Sequence, residues 1–200
     1  MIRPIHSRPG SSWAGLPALA VLGLLLSGGP SSPAHRLDEY LQAARIEVAV
    51  THVDLELDLT PGLQVLPALI RCIDLDRDGF LSPAEQEAYA DLVRTGLSLS
   101  VDGRPRKLGL VSHQFPSAEA MAEGVGMIRL QFRAGLEPLG AAAHRLEFRN
   151  GHQTNLSVYL VNALVPADPS LRVTRQKRSE FQREFEMEFT RSASPPAPAP

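Results

Sequence analysis

RIEVAVTHVDLELDL, residues 45–59, is the stretch that decides the fold. Ile46, Val48 and Val50 alternate with Arg45, Glu47 and Ala49, and Val53, Leu55, Leu57 and Leu59 alternate with Asp54, Glu56 and Asp58. In an extended chain successive side chains point to opposite faces, so a period of two makes one face apolar and the other polar. The alternation resets around Thr51 and His52, which predicts two half-buried strands joined by a tight turn. Pro61-Gly62 ends the second strand.

The same short-range pattern returns downstream, near 97–101, 106–112, 126–133, 144–149, 156–162, 171–176 and 183–189. Asp102-Gly103 is a hairpin dipeptide, since both residues tolerate the positive φ that a tight two-residue turn needs. Residues 114–125, with Pro, Ser, Ala and Gly, read as a loop. About nine short strands at this spacing predict a mainly β fold, an antiparallel β-sandwich.

Residues 63–95 break the period and form an insertion. Val65, Leu66, Leu69, Ile70 and Ile73 recur at helical spacing, with Pro67 suited to a first helical turn. Farther on, Ser82 can cap a helix that begins at Pro83, and Glu85 three residues later completes a capping box. Tyr89, Leu92 and Val93 supply the apolar face, and Gly96 ends the helix.

Between the two helices runs DLDRDGFLSPAE, residues 74–85. Calcium is a hard cation that takes six to eight oxygens, and alternate residues of a tight loop can aim theirs at one point. Asp74, Asp76 and Asp78 offer carboxylates, Phe80 a backbone carbonyl, Ser82 a hydroxyl or a bridged water, and Glu85 both carboxylate oxygens. Gly79 permits the positive-φ bend, and Leu81 is an apolar side chain that can turn into the core. The bland alternative is a solvated acidic turn ahead of a capped helix, but it does not require three Asp, a Gly and a Glu at these spacings.

These residues resemble the loop of the EF-hand superfamily, over about a sixth of the chain. That resemblance implies a helix–loop–helix calcium site with Asp74, Asp76, Asp78, Phe80, Ser82 and Glu85 as ligands. A second resemblance covers more of the chain. His35-Arg36-Leu37-Asp38-Glu39-Tyr40, two strands and one EF-hand look like an exported bacterial module that in some relatives precedes a nickel/cobalt permease-like or hydrogenase-accessory-like membrane domain. No membrane domain follows Pro200 in this sequence, so transport is not carried over. EF-hands usually pair, and no second acidic loop is present in the sequence; either the sandwich supports the loop or two chains meet through it.

The N-terminus reads as an export signal: Arg3, His6 and Arg8 precede an apolar core, LPALAVLGLLL at 16–26, broken by Ser27, Gly28, Gly29 and Pro30. Ser32 and Ala34 fit a cut before His35. The apolar run is about half the roughly 20 residues of a spanning helix, although an uncleaved anchor is the alternative. Residues 35–190 then form the β-rich domain, and 191–200 (RSASPPAPAP) hold a disordered Pro/Ala tail. The expected location is periplasmic or extracellular.

With a formal charge of -2 and no long basic run, nucleic acid and anionic membranes are not expected partners. Cys72 is the sole cysteine, so no internal disulfide forms; in LIRCI it reads as a small buried hydrophobe. His35, His52, His113, His144 and His152 do not share a metal-ligand spacing, although an N-terminal His35 can chelate copper or nickel. Glu39, Glu47, Glu56 and Asp58 read as a polar solvent face rather than a catalytic pair. Asn155-Leu156-Ser157 is a glycosylation sequon only in a eukaryotic secretory route. Arg172, Arg175, Lys177, Arg178 and Arg183 suit a solvated edge strand. No nucleophile motif or phosphate loop is present in the sequence. The expectation is a non-enzymatic, exported calcium-binding module with a structural or accessory role. The alternative is a calcium-dependent extracytoplasmic partner of a metal-transport membrane protein.

Overall fold

A computed structural model describes residues 38–193. The expected signal at 1–34, His35 and the end of the Pro/Ala tail lie outside the described residues. The alternating stretch forms the hairpin β1 (Tyr40–Val48) and β2 (His52–Pro61), with Val48 opposite Val53 and the Ala49 N–H donating to His52 O at 2.8 Å. Ile46, Val53, Leu57 and Leu59 have no exposed surface. Burying each such side chain stabilises the fold by about 1.5–3 kcal/mol.

After the helical insertion, β3 (Leu97–Val101) turns at Asp102-Gly103, both at positive φ, into β4 (Arg104–Arg106). The strand expected at 106–112 is divided. β4 belongs to one sheet and β5 (Gly109–Gln114) to the other, because the chain crosses between them at Leu108, which plugs the core at 4% exposure. The expected loop at 114–125 contains a short helix, α3 (Ala118–Ala122), capped by Ser117 and anchored by buried Met121. Then follow β6 (Ile128–Gly135), β7 (Ala143–Asn150), β8 (Ser157–Ala163), β9 (Leu171–Arg178) and β10 (Glu184–Arg191). β10 runs one residue into the expected tail, and the Ser192 N–H donates to Ser170 O.

Among the described residues ten strands make two five-stranded sheets, β5-β6-β2-β1-β8 and β4-β3-β7-β10-β9. Their inner faces share one apolar core, with Leu55, Leu57, Leu130 and Phe132 from the first sheet and Leu146, Phe148, Met187 and Phe189 from the second. Pairing is antiparallel throughout except between β1 and β8, which run parallel. The β-sandwich expected from the sequence is therefore present, with one parallel edge pair.

Helices α1 (Leu66–Ile73) and α2 (Pro83–Thr95) sit between β2 and β3 and flank the acidic loop. Helix α1 has Pro67 in its first turn and buries Leu66, Leu69 and Ile73 on one stripe. Helix α2 opens with the full capping box and buries Glu85, Tyr89, Ala90 and Val93. Leu92, expected on that face, lies at its flank and is 47% exposed. Cys72 is exposed as well, contrary to its apolar surroundings in sequence, because the buried stripe of α1 passes through Leu69 and Ile73 and leaves Cys72 on the far side. The Tyr89 ring meets Phe115 edge to face at 6.2 Å, so the segment after β5 braces α2.

Candidate metal centre

The loop between α1 and α2 is built by its own acidic side chains. Asp74 caps the C-terminus of α1, its N–H donating to Ile70 O at 2.8 Å. The Asp78 N–H then donates to Asp76 Oδ1 at 3.2 Å, the Phe80 N–H to Asp78 Oδ1 at 2.8 Å, and the Gly79 N–H to Asp74 Oδ2 at 3.1 Å. Each Asp thus holds a backbone amide and bends the chain back on itself. Arg77 and Gly79 take φ of 64° and 84°, and a Cβ on Gly79 would meet nothing within 4 Å. Glycine is needed there for its backbone, not for space.

One carboxylate oxygen from each of Asp74, Asp76 and Asp78 lies within 4.8 Å of the other two. Divalent cations of the calcium kind take oxygens at about 2.3–2.6 Å, so two ligands on opposite sides of one ion are about 4.6–5.2 Å apart. The trio fits one such sphere. Asp76 and Asp78 face solvent, but Asp74 is 6% exposed, and its Oδ1 is enclosed with no hydrogen-bond partner among the described residues. A buried carboxylate oxygen without a donor is costly, and a cation is the group that would satisfy it. On this test the residues fit a metal ion.

Glu85 stands outside that trio and ties the loop's ends together. Its Oε1 accepts from the Leu75 N–H at 2.7 Å and the Asp76 N–H at 3.4 Å, and its Oε2 from the Ser82 N–H at 2.9 Å and Ser82 Oγ at 2.7 Å. The Ser82 hydroxyl first, then the Ser82 and Leu75 amides, hold the Glu85 carboxyl down at about 2. For Asp76 the Asp78 amide pulls downward, but desolvation and the charges of Asp78, Glu85 and Asp74 together raise it above the ordinary carboxylate value. The loop therefore concentrates negative charge that neutralisation by a cation would relieve. The Phe80 ring is 73% exposed, whereas Leu81 packs against the core as expected.

The other candidates resolve into structural roles. Glu56 and Asp58 pair with Arg45 and Arg129 across the outer face of the first sheet, and Asp58 is buried rather than solvated. Glu47 accepts from the Ala167 N–H. His144 bridges Asp102 Oδ2 at 2.8 Å and Gly140 O at 3.0 Å, and His52 sits 3.3 Å from Asp54. Arg172, Arg175, Lys177 and Arg178 lie on β9, an edge strand, whose Arg178 reaches across to Val161 O on β8, whereas Arg183 lies in the turn before β10. His152 is buried and joins Tyr40, Gln42, Tyr89 and Asn150 in a polar cluster that the sequence did not signal, since its members are up to 110 residues apart in hydrogen-bonded pairs.

No family model, no curated protein and no solved structure matches this chain.

Proposed function

We propose that this protein is an exported, non-enzymatic accessory module of the EF-hand type that binds one calcium ion in the loop 74–85. The observation that carries the reading is Asp74 Oδ1, buried without a donor beside two further carboxylates at single-ion spacing. Asp74, Asp76, Asp78, the Phe80 carbonyl, Ser82 and Glu85 would hold the ion, with oxygen as the sole donor type, which suits calcium over thiolate- or imidazole-seeking metals. Export is supported by the apolar run at 16–26, and a non-enzymatic role by the lack of a catalytic motif in the sequence. Outside the cell a weak site can stay filled, so the affinity belongs on the order of 10⁻⁴ to 10⁻³ M and the ion's role is structural.

Thermal melting in excess calcium and then in chelator tests this, with Glu85→Gln alongside. The expected result is a rise of several degrees with calcium that the variant loses. Equal melting in calcium and chelator would reduce the loop to a capping turn.

A further inference from the structure

Helix α2 carries the loop at one end and is clamped to the sandwich at the other. Glu85 lies in its first turn, Tyr89 one turn later on the same buried face, and Gly96 at its C-cap. From Glu85 to Gly96 the helix spans about 16 Å at 1.5 Å per residue. At the far end the Gly151 N–H donates to Gly96 O at 2.8 Å, and a Cβ on Gly96 would sit 3.0 Å from both Cα and N of His152. The helix backbone thus rests directly on residues 151 and 152.

Midway, the Tyr89 hydroxyl lies 2.9 Å from the Tyr40 hydroxyl and 3.2 Å from His152 Nε2. With Tyr40 O–H donating to Tyr89 O, the single Tyr89 hydroxyl hydrogen goes to Nε2 of a neutral His152. Burial keeps His152 neutral by holding it down at about 4. The His152 backbone is fixed in turn. Its carbonyl accepts from Gln42 Nε2 at 3.0 Å and from the Tyr159 hydroxyl at 2.7 Å, and its N–H donates to Asn150 Oδ1 at 3.0 Å. Asn150 Nδ2 closes the ring by donating to Gln42 Oε1 at 2.8 Å. β1, β8, the end of β7 and helix α2 meet in this one buried polar cluster.

We propose, on the calcium reading above, that the Tyr40–Tyr89–His152 relay sets the calcium affinity of the loop by fixing where α2 presents Glu85. Among the described hydrogen bonds none joins a relay residue to an expected ligand; these are positioning residues that act through the helix. The loop's amides and Ser82 hold the Glu85 carboxylate to the loop, but they do not fix the helix turn that carries it against the sandwich. A helix pinned at Tyr89 and Gly96 supplies that constraint. The support a partner loop gives elsewhere is here supplied by the sandwich. Coupling of this kind is reciprocal, so filling the loop tightens the relay by the factor by which the relay tightens the loop.

All three tyrosines of the chain, Tyr40, Tyr89 and Tyr159, hydrogen-bond within the cluster, so tyrosine near-ultraviolet difference absorbance reads the relay directly. Calcium titrations of the intact protein, followed by heat and by tyrosine absorbance at pH 7, test the proposal. In the natural sequence the two signals should share one midpoint, and Glu85→Gln should abolish both. Tyr89→Phe keeps the ring and removes the bond to His152; it should weaken calcium binding about threefold to tenfold, with Tyr40→Phe shifting it in the same direction by less. Leu146→Ala, a core truncation in the second sheet, should lower melting temperature without moving the calcium midpoint. If Tyr89→Phe and Tyr40→Phe both bind within twofold of the natural protein, or the tyrosine signal is silent while heat is released, the relay is not coupled and the calcium site stands alone. If the natural protein releases no heat and gains no melting temperature with calcium, the calcium reading itself falls, and the coupling with it.

Discussion

Asp74, at the C-cap of α1, commits Oδ2 to the Gly79 amide, while its Oδ1 has no hydrogen-bond partner among the described residues. Asp74→Asn keeps an oxygen for Gly79 and removes one of four crowded charges. In chelator the variant should melt at or above the natural protein, since like-charge repulsion falls. In calcium it should gain nothing. Paired melting curves check this, and a variant less stable in chelator by several degrees would mean that the charge is satisfied by something other than a cation. At this scale the sequence was an uneven guide. Asp74, Asp76, Asp78 and Gly79 were legible because loop chemistry depends on residue type at fixed spacing. The separation of Glu85 from the Asp trio was not, because it depends on which amides reach its carboxylate, and these come from both ends of the loop.

Helix α2 shows how an element's ends decide its behaviour. Its start was legible, because the Ser82 and Glu85 capping box is a local pattern. Ser82→Ala removes both the acceptor for the Glu85 N–H and the hydroxyl that donates to Glu85 Oε2, and should cost about 1 kcal/mol in chemical denaturation without calcium. Its end was legible only as a stop. Replacing a glycine at negative φ with alanine ordinarily stabilises a protein by about 0.4–1 kcal/mol through the unfolded chain. Gly96 has φ of -83°, yet the added Cβ would meet backbone atoms of His152, whose N–H is held by Asn150 Oδ1 and whose neighbour Gly151 donates to Gly96 O. Gly96→Ala should therefore destabilise, by about 1–3 kcal/mol. A stabilised Gly96→Ala in urea would show that the 150–152 turn yields freely, and would loosen the clamp on α2. Strand existence was equally legible from alternation. The split of 106–112 between two sheets and the parallel β1–β8 pair were not, because both depend on where the chain crosses the core.

For the whole molecule, the two sheets and the helical insertion meet around His152, so its protonation state should govern stability toward acid. Burial lowers its folded pKa to about 4 from an ordinary value of 6.5. Between these values the unfolded chain binds a proton that the folded chain refuses, so stability is complete above about 6.5 and declines as pH falls toward 4. His144 works in the opposite sense. Desolvation lowers its pKa, but the Gly140 carbonyl and Asp102 outweigh it and raise it, so its contribution is present below its unfolded value and lost as pH rises through the folded one. The surface carboxylates with depressed values, Asp54, Asp102 and Asp168, lose their contributions only in the acid range below about 4, where the unfolded chain begins to take up protons on them. That leaves a window from pH 7 to 5 in which the two histidines dominate, and the shift at His152 is the larger. In chelator the His152 share should fall by about 2 kcal/mol across it, partly offset by His144, so the protein should lose less than about 2 kcal/mol, read from urea denaturation at each pH. With saturating calcium the loss should begin at lower pH, because an ion that tightens the relay also opposes the proton that would reverse it. A profile that is level from pH 7 to 5 in chelator, in the natural protein and in His144→Gln alike, would mean that His152 is charged in the folded protein. Tyr89 would then have no acceptor there, and the meeting point of β1, β8 and α2 would be held by packing alone.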